Sequence, residues 1–285
     1  PEKQTTSVAP LFNNQSELLA HEHKDLMFDD WARQPLMDAS LAHEGPGVAW
    51  VDLNQDGWED LLISSARGGK PSAWLNKMGK AFEVYDETPF HLPVSRDQVG
   101  LVAWKDSKEE VRALMASSNY EDGLGLGSPV REYRFKNRET LDAFSGQPGS
   151  IGTLTLGDMD RDGDLDLFMG TRVLPGRYPE PPSSLIFMNQ DGAFVLDEVR
   201  SKPFEKLGMV RSAHFMDDDR DGVPELFVSL EWGSIRYFKY VSSQWVDQSL
   251  ERGLNEKLGW WSGLAFGDFD GNGAVDFVAG NLGLN

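Results

Sequence analysis

The sequence predicts an all-β protein, a β-propeller built of four-stranded blades that carry Asp-rich loops. Three observations predict this fold. A loop with glycine at its sixth place recurs along the chain, and short apolar runs flank each copy. From Asp52 to Asp268 the chain runs 216 residues over four intervals, which gives a mean period of 54. Four strands at a period near 50 are typical of a propeller blade.

Four copies of the loop are complete. They run from place 1 to place 9 over residues 52–60, 158–166, 217–225 and 268–276. Midway between the first two, Leu101 to Asp106 matches the approach to Asp52 but continues with Lys108 at place 3 and without the glycine. The sequence therefore predicts five repeats, of which the second is degenerate and should not bind what the complete loops bind.

Apolar runs before and after each loop predict the first two strands of each blade. Gly47 to Val51 leads into the first loop and Leu61 to Ile63 leads out of it. Because these runs are continuously apolar, we expect the strands to be covered on both faces. Trp50 and Trp104, at matching places in the first two repeats, are expected to pack between blades. Ala73 to Asn76, followed by Gly79 and Phe82, predicts a third and a fourth strand joined by a turn.

The two ends of the chain differ from the repeats. Residues 1–44 predict an irregular lead-in, and residues 45–285 contain the repeats, the last of them incomplete. Such a chain is expected to be the N-terminal part of a larger propeller of about seven blades. Closure as five blades, with residues 1–44 supplying the missing strands, is the alternative. Because Pro1 follows neither a Met nor a leader, we expect a processed chain or a piece of a longer one.

The chemistry of the loops predicts calcium. Side-chain oxygens at places 1, 3, 5 and 9 and a backbone carbonyl at place 7 give a hard cation several oxygen ligands, and the glycine at place 6 lets the backbone reverse around it. Imidazole and thiolate, which transition metals prefer, are absent from the loops. We therefore predict about four Ca²⁺ ions. The predicted ligands are Asp52, Asn54, Asp56, Trp58 and Asp60 in the first loop, Asp158, Asp160, Asp162, Asp164 and Asp166 in the second, Asp217, Asp219, Asp221, Val223 and Glu225 in the third, and Asp268, Asp270, Asn272, Ala274 and Asp276 in the fourth.

Two other structures share some features of these loops, the EF-hand and the plain Asp-rich turn. An EF-hand requires a bidentate Glu at place 12 and flanking helices, whereas place 12 here is Ile63, Met169, Val228 and Ala279. Plain Asp-rich turns are common, but four copies with the same ligand places argue against them.

The loops resemble a known family. Gly267 to Gly273 is similar to the calcium loop of FG-GAP or VCBS repeats, which occur in integrin α-subunit propellers and in bacterial secreted proteins. The segments Phe28 to Leu36, Gly45 to Ala49 and Gly280 to Asn285 resemble the bacterial branch related to cartilage acidic protein. The resemblance covers about residues 45–285. It implies calcium in the blade loops and an extracellular or periplasmic location.

Composition excludes several classes of function. The chain carries 27 Lys and Arg against 46 Asp and Glu, a formal net charge of −19, which repels nucleic acid and anionic membrane surfaces. It has no cysteine, which excludes thiol catalysis and zinc–thiolate sites. No apolar run approaches the length of a membrane span.

The function predicted from the sequence is a calcium-stabilised binding or interaction module of a larger exported protein. Its partner is expected to be a protein or a carbohydrate, and further domains of the same polypeptide fit this picture. The alternative is a propeller hydrolase or lyase with its site at the central channel, where acidic residues outside the calcium loops, such as Glu59 or Glu110, could act as acid and base. No assembled catalytic constellation supports that alternative.

Overall fold

The described chain consists mainly of antiparallel β-sheet. The computed structural model describes residues 14–125, 127–146 and 149–283. The predicted lead-in and the incomplete last repeat therefore extend, at residues 1–13 and 284–285, outside the described residues. The structure confirms the all-β class and contains several four-stranded antiparallel sheets.

Each of the first four sheets is made mainly from consecutive strands. The first sheet contains β1 (Val48–Val51), β2 (Asp60–Ile63), β3 (Ser72–Asn76) and β4 (Phe82–Val84), and the second contains β5 (Gln98–Lys105), β6 (Val111–Ser117), β7 (Val130–Arg134) and β8 (Glu139–Asp142). The third contains β9 (Ile151–Gly157), β10 (Asp166–Thr171), β11 (Leu185–Gln190) and β12 (Ala193–Leu196). The fourth contains β13 (Met209–Met216), β14 (Glu225–Glu231), β16 (Arg236–Val241) and β17 (Gln244–Asp247), and β15 (Gly233–Ser234) leaves it to pair with β18 (Leu258–Gly259). The fifth sheet contains β19 (Trp261–Gly267) and β20 (Asp276–Asn281).

Successive sheets pack face to face and share layers of buried side chains. Leu62 of the first sheet packs with Met115 of the second, and Leu114 packs with Leu167 of the third. Phe168 continues the series with Leu226 of the fourth sheet. The first strands of neighbouring sheets contact one another, β1 with β5, β5 with β9, β9 with β13 and β13 with β19. Glycine permits this close approach, because a Cβ on Gly152 would lie 2.0 Å from the carbonyl oxygen of Val210.

Burial agrees with the prediction for the second strands β2, β10 and β14 and differs for β1 and for β20, whose run Phe277 to Ala279 is only partly buried because no further sheet follows it among the described residues. All residues of β2, β10 and β14 are buried, as their continuous apolarity predicts. Trp104, expected to pack between sheets, is also buried. Trp50 was expected to do the same, but it is 51% exposed. The reason is that β1 belongs to the first sheet and only its side toward β5 meets another sheet among the described residues.

The N-terminal segment lies across one end of the sheets. It contains a short 3₁₀ helix (Ser16–Leu18) and helix α1 (Asp30–Arg33), and residues 14–44 contain no strand. Asp30 is fully buried and accepts hydrogen bonds from the backbone N–H of Leu41 and Ala42. Leu41 in turn packs in a cluster with Tyr120, which follows β6. We call this end of the sheets the cap end. Helix α2 (Glu198–Ser201) and a 3₁₀ helix (Lys202–Phe204) follow β12.

Candidate metal centres

The four complete Asp-rich loops lie at the end of the sheets opposite the cap end. Each loop joins the first strand of its sheet to the second, so we call this the loop end. The place-9 residues are the first residues of β2, β10, β14 and β20, namely Asp60, Asp166, Glu225 and Asp276. Strands flank every loop, which agrees with the exclusion of an EF-hand.

The place-9 carboxylate is buried in the first three complete loops and half-buried, as Asp276, in the fourth, and it ties the loop to the sheet. Asp60 accepts hydrogen bonds from the backbone N–H of Leu53 at 2.9 Å and of Asn76 at 2.6 Å. Asp166 repeats this pattern with the N–H groups of Met159 at 3.0 Å and Asn189 at 2.9 Å. Each carboxylate thus joins place 2 of its loop to the third strand of its sheet.

Burial makes these carboxylates costly to ionise without a nearby cation. Burial raises the pKa of Asp60, and it raises the pKa of Asp166 to about 6, with further contributions from Asp160 and Asp162. Burial and the neighbouring Asp218 raise the pKa of Glu225 to about 7. A bound cation would favour the ionised form of all three groups.

The loop backbone wraps around the place-1 carboxylate. Asp52 accepts from the N–H groups of Asp56 and Gly57, both at 3.0 Å. The glycines at place 6 all have φ between 82° and 93°, a left-handed conformation that glycine adopts without a steric penalty. At place 7, the N–H groups donate to the side-chain oxygen at place 5, which fixes the turn. These place-7 residues are Trp58, Asp164, Val223 and Ala274, bonded to Asp56, Asp162, Asp221 and Asn272.

Three loops bring the carboxylates of places 1, 3 and 9 together. In each of them one oxygen from each residue lies within 4.8 Å of the other two, a spacing that could hold a metal ion. The three groups are Asp158, Asp160 and Asp166, then Asp217, Asp219 and Glu225, then Asp268, Asp270 and Asp276. The first loop has the amide Asn54 at place 3. The carboxylate of place 5 lies outside these close groups.

A buried oxygen without a partner shows that the second complete loop fits a cation. Oδ1 of Asp158 is buried and has no hydrogen-bond partner within the described chain, while its Oδ2 accepts from the N–H of Gly163. A buried carboxylate oxygen left unpaired is costly. A hard cation bound at 2.3 to 2.6 Å would satisfy it, and the all-oxygen donor set suits Ca²⁺.

The third complete loop already contains a cation, the ammonium of Lys239. Its Nζ lies 3.3 Å from Oε1 of Glu225 and 3.4 Å from Oδ2 of Asp221, and it pairs with Asp219. These are three of the ligands predicted from the sequence. Lys239 comes from β16, and no motif in the sequence predicts that it lies here.

The degenerate loop of the second sheet has lost the site. Val111 stands opposite Lys105, the position that Asp60 occupies opposite Val51 in the first sheet. A buried valine therefore replaces the place-9 carboxylate. Asp106 instead pairs with the guanidinium of Arg112 at 2.9 Å. This loop therefore lacks the place-9 carboxylate that the complete loops share, and the absence of calcium from it stays a prediction.

Side chains at place 4 connect neighbouring loops. Gln55 donates to the carbonyl of Glu109 at 2.9 Å, and Arg161 donates to the carbonyl of Gly222 at 3.1 Å. Arg220 in the same way donates to the carbonyl of Gly273. These three place-4 residues have φ between 60° and 64°, and the loop conformation aims each side chain at the next loop.

Comparison with known proteins adds no family to these observations. The chain matches no protein-family model, and no curated protein is significantly similar to it. Among the described residues, no helix has the length and apolarity needed to cross a membrane.

Sequence reasoning missed several residues that shape the loop end. Asn76 was predicted only as a strand residue, and Asn189 occupies the matching position of the third sheet. Their backbone N–H groups donate to the place-9 carboxylates, and their side-chain oxygens accept from the N–H groups of Gly79 and Gly192 in the turns that follow. Their matching positions in two repeats, each three residues before a glycine, were the available signal.

Proposed function

We propose that this chain is a calcium-stabilised β-propeller module of an exported protein, related to the FG-GAP or VCBS repeats that its loops resemble. The single observation that carries the proposal is the recurrence of a buried place-9 carboxylate beside the place-1 and place-3 carboxylates of one loop. Such concentrated negative charge opposes folding unless a cation compensates it. The sheets act as blades, since the first strands of successive sheets contact one another in series.

The four loops are proposed to differ in calcium affinity. The second and fourth complete loops present three close carboxylates, and the first presents carboxylates with one amide. The third binds calcium only after Lys239 leaves Asp219, Asp221 and Glu225, so it is the weakest site.

The calcium affinity that is typical of extracellular modules is the argument for the proposed location. Extracellular calcium modules bind with dissociation constants of about 10⁻⁴ to 10⁻³ M, so they fill at extracellular but not at cytosolic calcium. At free calcium ten times the dissociation constant, each independent site stabilises the fold by about 1.4 kcal/mol. The protein is therefore proposed to function in the extracellular space or in the periplasm.

The proposed partner is a protein or a carbohydrate, and an aromatic surface at the cap end supports a binding role. Trp232 is exposed and packs against Trp260 with ring centroids 4.9 Å apart. Its indole N–H donates to the hydroxyl of Tyr178 at 2.6 Å. Exposed aromatic rings with a hydrogen-bonding edge suit binding to amphipathic ligands.

Metal counting and thermal unfolding test the calcium proposal. The chain is equilibrated with Ca²⁺ or with Mg²⁺ at equal ionic strength, and bound ions are counted by mass spectrometry. We expect calcium to raise the melting temperature more than magnesium does, and Asp160→Ala, which leaves no side-chain oxygen at place 3, to remove one calcium ion. The matched control is Asp191→Ala, which removes an exposed carboxylate at a hairpin turn of the same sheet. Equal melting temperatures in calcium and in chelator would contradict the proposal.

A further inference from the structure

The cap end contains a group of acidic side chains that the Asp-rich loops do not include. Asp25 comes from the N-terminal segment, Asp97 directly precedes β5, and Glu121 follows β6. One carboxylate oxygen from each of the three lies within 4.8 Å of the other two. These residues come from three separate segments and belong to no repeated motif.

The unsatisfied oxygens in this group point to a missing ligand. The Glu121 side chain is only 7% exposed, and neither of its carboxylate oxygens has a hydrogen-bond partner among the described residues. Oδ1 of Asp25 is likewise buried without a partner in that part of the chain. The Glu121 side chain is thus more than nine-tenths buried, its Oε1 is unbonded, and it is directed at two other carboxylates. Burying its charge in this position costs free energy unless a cation lies between the three groups.

The cations already present only partly compensate the three negative charges. Nε of Arg67 lies 2.6 Å from Oε2 of Glu121, outside hydrogen-bond geometry, and the Arg67 backbone N–H donates to Asp97 at 2.9 Å. Nδ1 of His43 lies 2.7 Å from Oδ2 of Asp25. Even with His43 protonated, one negative charge is left over, and with His43 neutral two are left.

We propose that Asp25, Asp97 and Glu121 form a binding site for a hard divalent cation of the Ca²⁺ and Mg²⁺ class at the cap end. The ligands are all carboxylate oxygens, which suit a hard cation and not a thiolate- or imidazole-seeking metal. His43 contacts a ligand and orients it, as residues surrounding a metal site commonly do. Water completes the coordination shell, because three carboxylates supply fewer oxygens than either ion takes.

The site would join parts of the molecule that are distant in sequence. The ion bridges the N-terminal segment, through Asp25, to the connection that enters β5, through Asp97, and to the connection that leaves β6, through Glu121. Arg67, in the connection after β2, already links two of these segments, since its carbonyl accepts from Leu26 N–H at 3.2 Å and its own N–H donates to Asp97. A cation would therefore fasten the cap segment to the sheets.

Manganese is the probe for this site, because it replaces hard divalent ions and its unpaired electrons broaden nearby NMR signals. The wild-type chain is labelled at its histidine rings, and the His43 signal is assigned with His43→Gln. We expect substoichiometric Mn²⁺ to broaden His43, and added Ca²⁺ or Mg²⁺ to restore its signal, the more effective competitor showing which ion the site prefers. An ion confined to the Asp-rich loops lies at the other end of the strands and broadens His43 least. A His43 signal that persists at saturating Mn²⁺ overturns the proposal.

Ion counting on variants gives the second measurement. Glu121→Gln and Asp25→Asn keep the side-chain shape and should each lose one bound ion per chain, whereas Glu22→Gln, which removes an exposed charge near Asp25, should lose none. An unchanged count in both site variants also overturns the proposal and indicates that the carboxylates share a proton. The ions of the Asp-rich loops stay in the count in every variant, so failure here is distinguishable from failure of the loop sites. If a variant does not fold, the wild-type Mn²⁺ result decides.

Discussion

Replacing Lys239 tests whether an internal ammonium competes with calcium in the third complete loop. The register supplies a suitable replacement, because Leu226 pairs with Phe238 and Leu167 pairs with Phe187. Lys239 is therefore equivalent to Met188 of the third sheet. Lys239→Met gives this position a side chain that the fold already accepts and removes the charge.

The magnitude follows from the pair that Lys239 makes with Glu225. Glu225 is 1% exposed, and removing the partner of a buried charge costs about 3 to 5 kcal/mol. The Lys239 side chain is 20% exposed, so solvent screens the pair and we take about 2 kcal/mol. The pairs with Asp219 and Asp221 are largely exposed and add nothing to this figure.

Thermal unfolding in chelator and in calcium provides the assay. In chelator at neutral pH, about 2 kcal/mol lowers the melting temperature by roughly 4 to 8 °C for a chain of this size. In calcium the deficit should disappear, because the divalent ion replaces the ammonium. Since calcium no longer has to displace Lys239, its affinity for this loop should rise about 30-fold.

The control for this experiment is Lys77→Met. Lys77 forms an exposed pair with Glu83 at 2.7 Å, outside any carboxylate group. The control should melt like the wild type in both conditions. The competition model fails if Lys239→Met matches the wild type in chelator, or if calcium titration shows the same weakest site in both proteins.

Three further outcomes are expected. In chelator, Asp166 and Glu225 bind protons more tightly in the folded than in the unfolded state, so the stability that they contribute is present at pH 4 and is lost as pH rises through their pKa values of about 6 and 7. Melting temperatures measured from pH 4 to 8 should show this loss of stability, and the loss should be smaller in Asp166→Asn and absent in calcium. Asp106→Asn should leave the calcium count unchanged but lower stability by about 1 to 3 kcal/mol in denaturant unfolding, because the buried Arg112 loses a partner. Phe204→Ala should cost about 3 to 5 kcal/mol in the same assay and leave the calcium count unchanged, because this fully buried ring packs edge-on against neighbouring aromatic rings and supplies no oxygen ligand to a loop.

The sequence predicted the second strands and their loops because both depend on local order. In the first loop, Asp60 follows the glycine at a fixed spacing and precedes Leu61 to Ile63, so its position at the start of β2 could be predicted. The side chain of a residue at the start of a buried strand has few alternatives to the loop interior. The same reasoning predicts no ion in the second repeat, where Lys108 replaces a ligand, and there the structure has Val111 in place of the place-9 carboxylate.

Contacts between segments could not be predicted in this way. Lys239 reaches the third loop only because of the β14–β16 register, and a shift by one residue would direct it to the other face of the sheet. The cap-end carboxylates meet only when the N-terminal segment folds across the second sheet. Trp50 is apolar and lies in a strand, but its burial depends on which element covers β1, and no local pattern carries that information.

The place-4 links make the loops a series of nearest neighbours. Arg161 and Arg220 each donate a hydrogen bond to a backbone carbonyl of the following loop. An ion that orders one loop therefore reduces the conformational entropy lost when an ion orders the next loop. Such coupling is reciprocal, and in a linear array it acts between adjacent units. Gln55, by contrast, donates to the backbone of the degenerate loop, which is predicted to bind no ion. Calcium should therefore fill the last three complete loops cooperatively and the first independently, and the binding isotherm should show two phases.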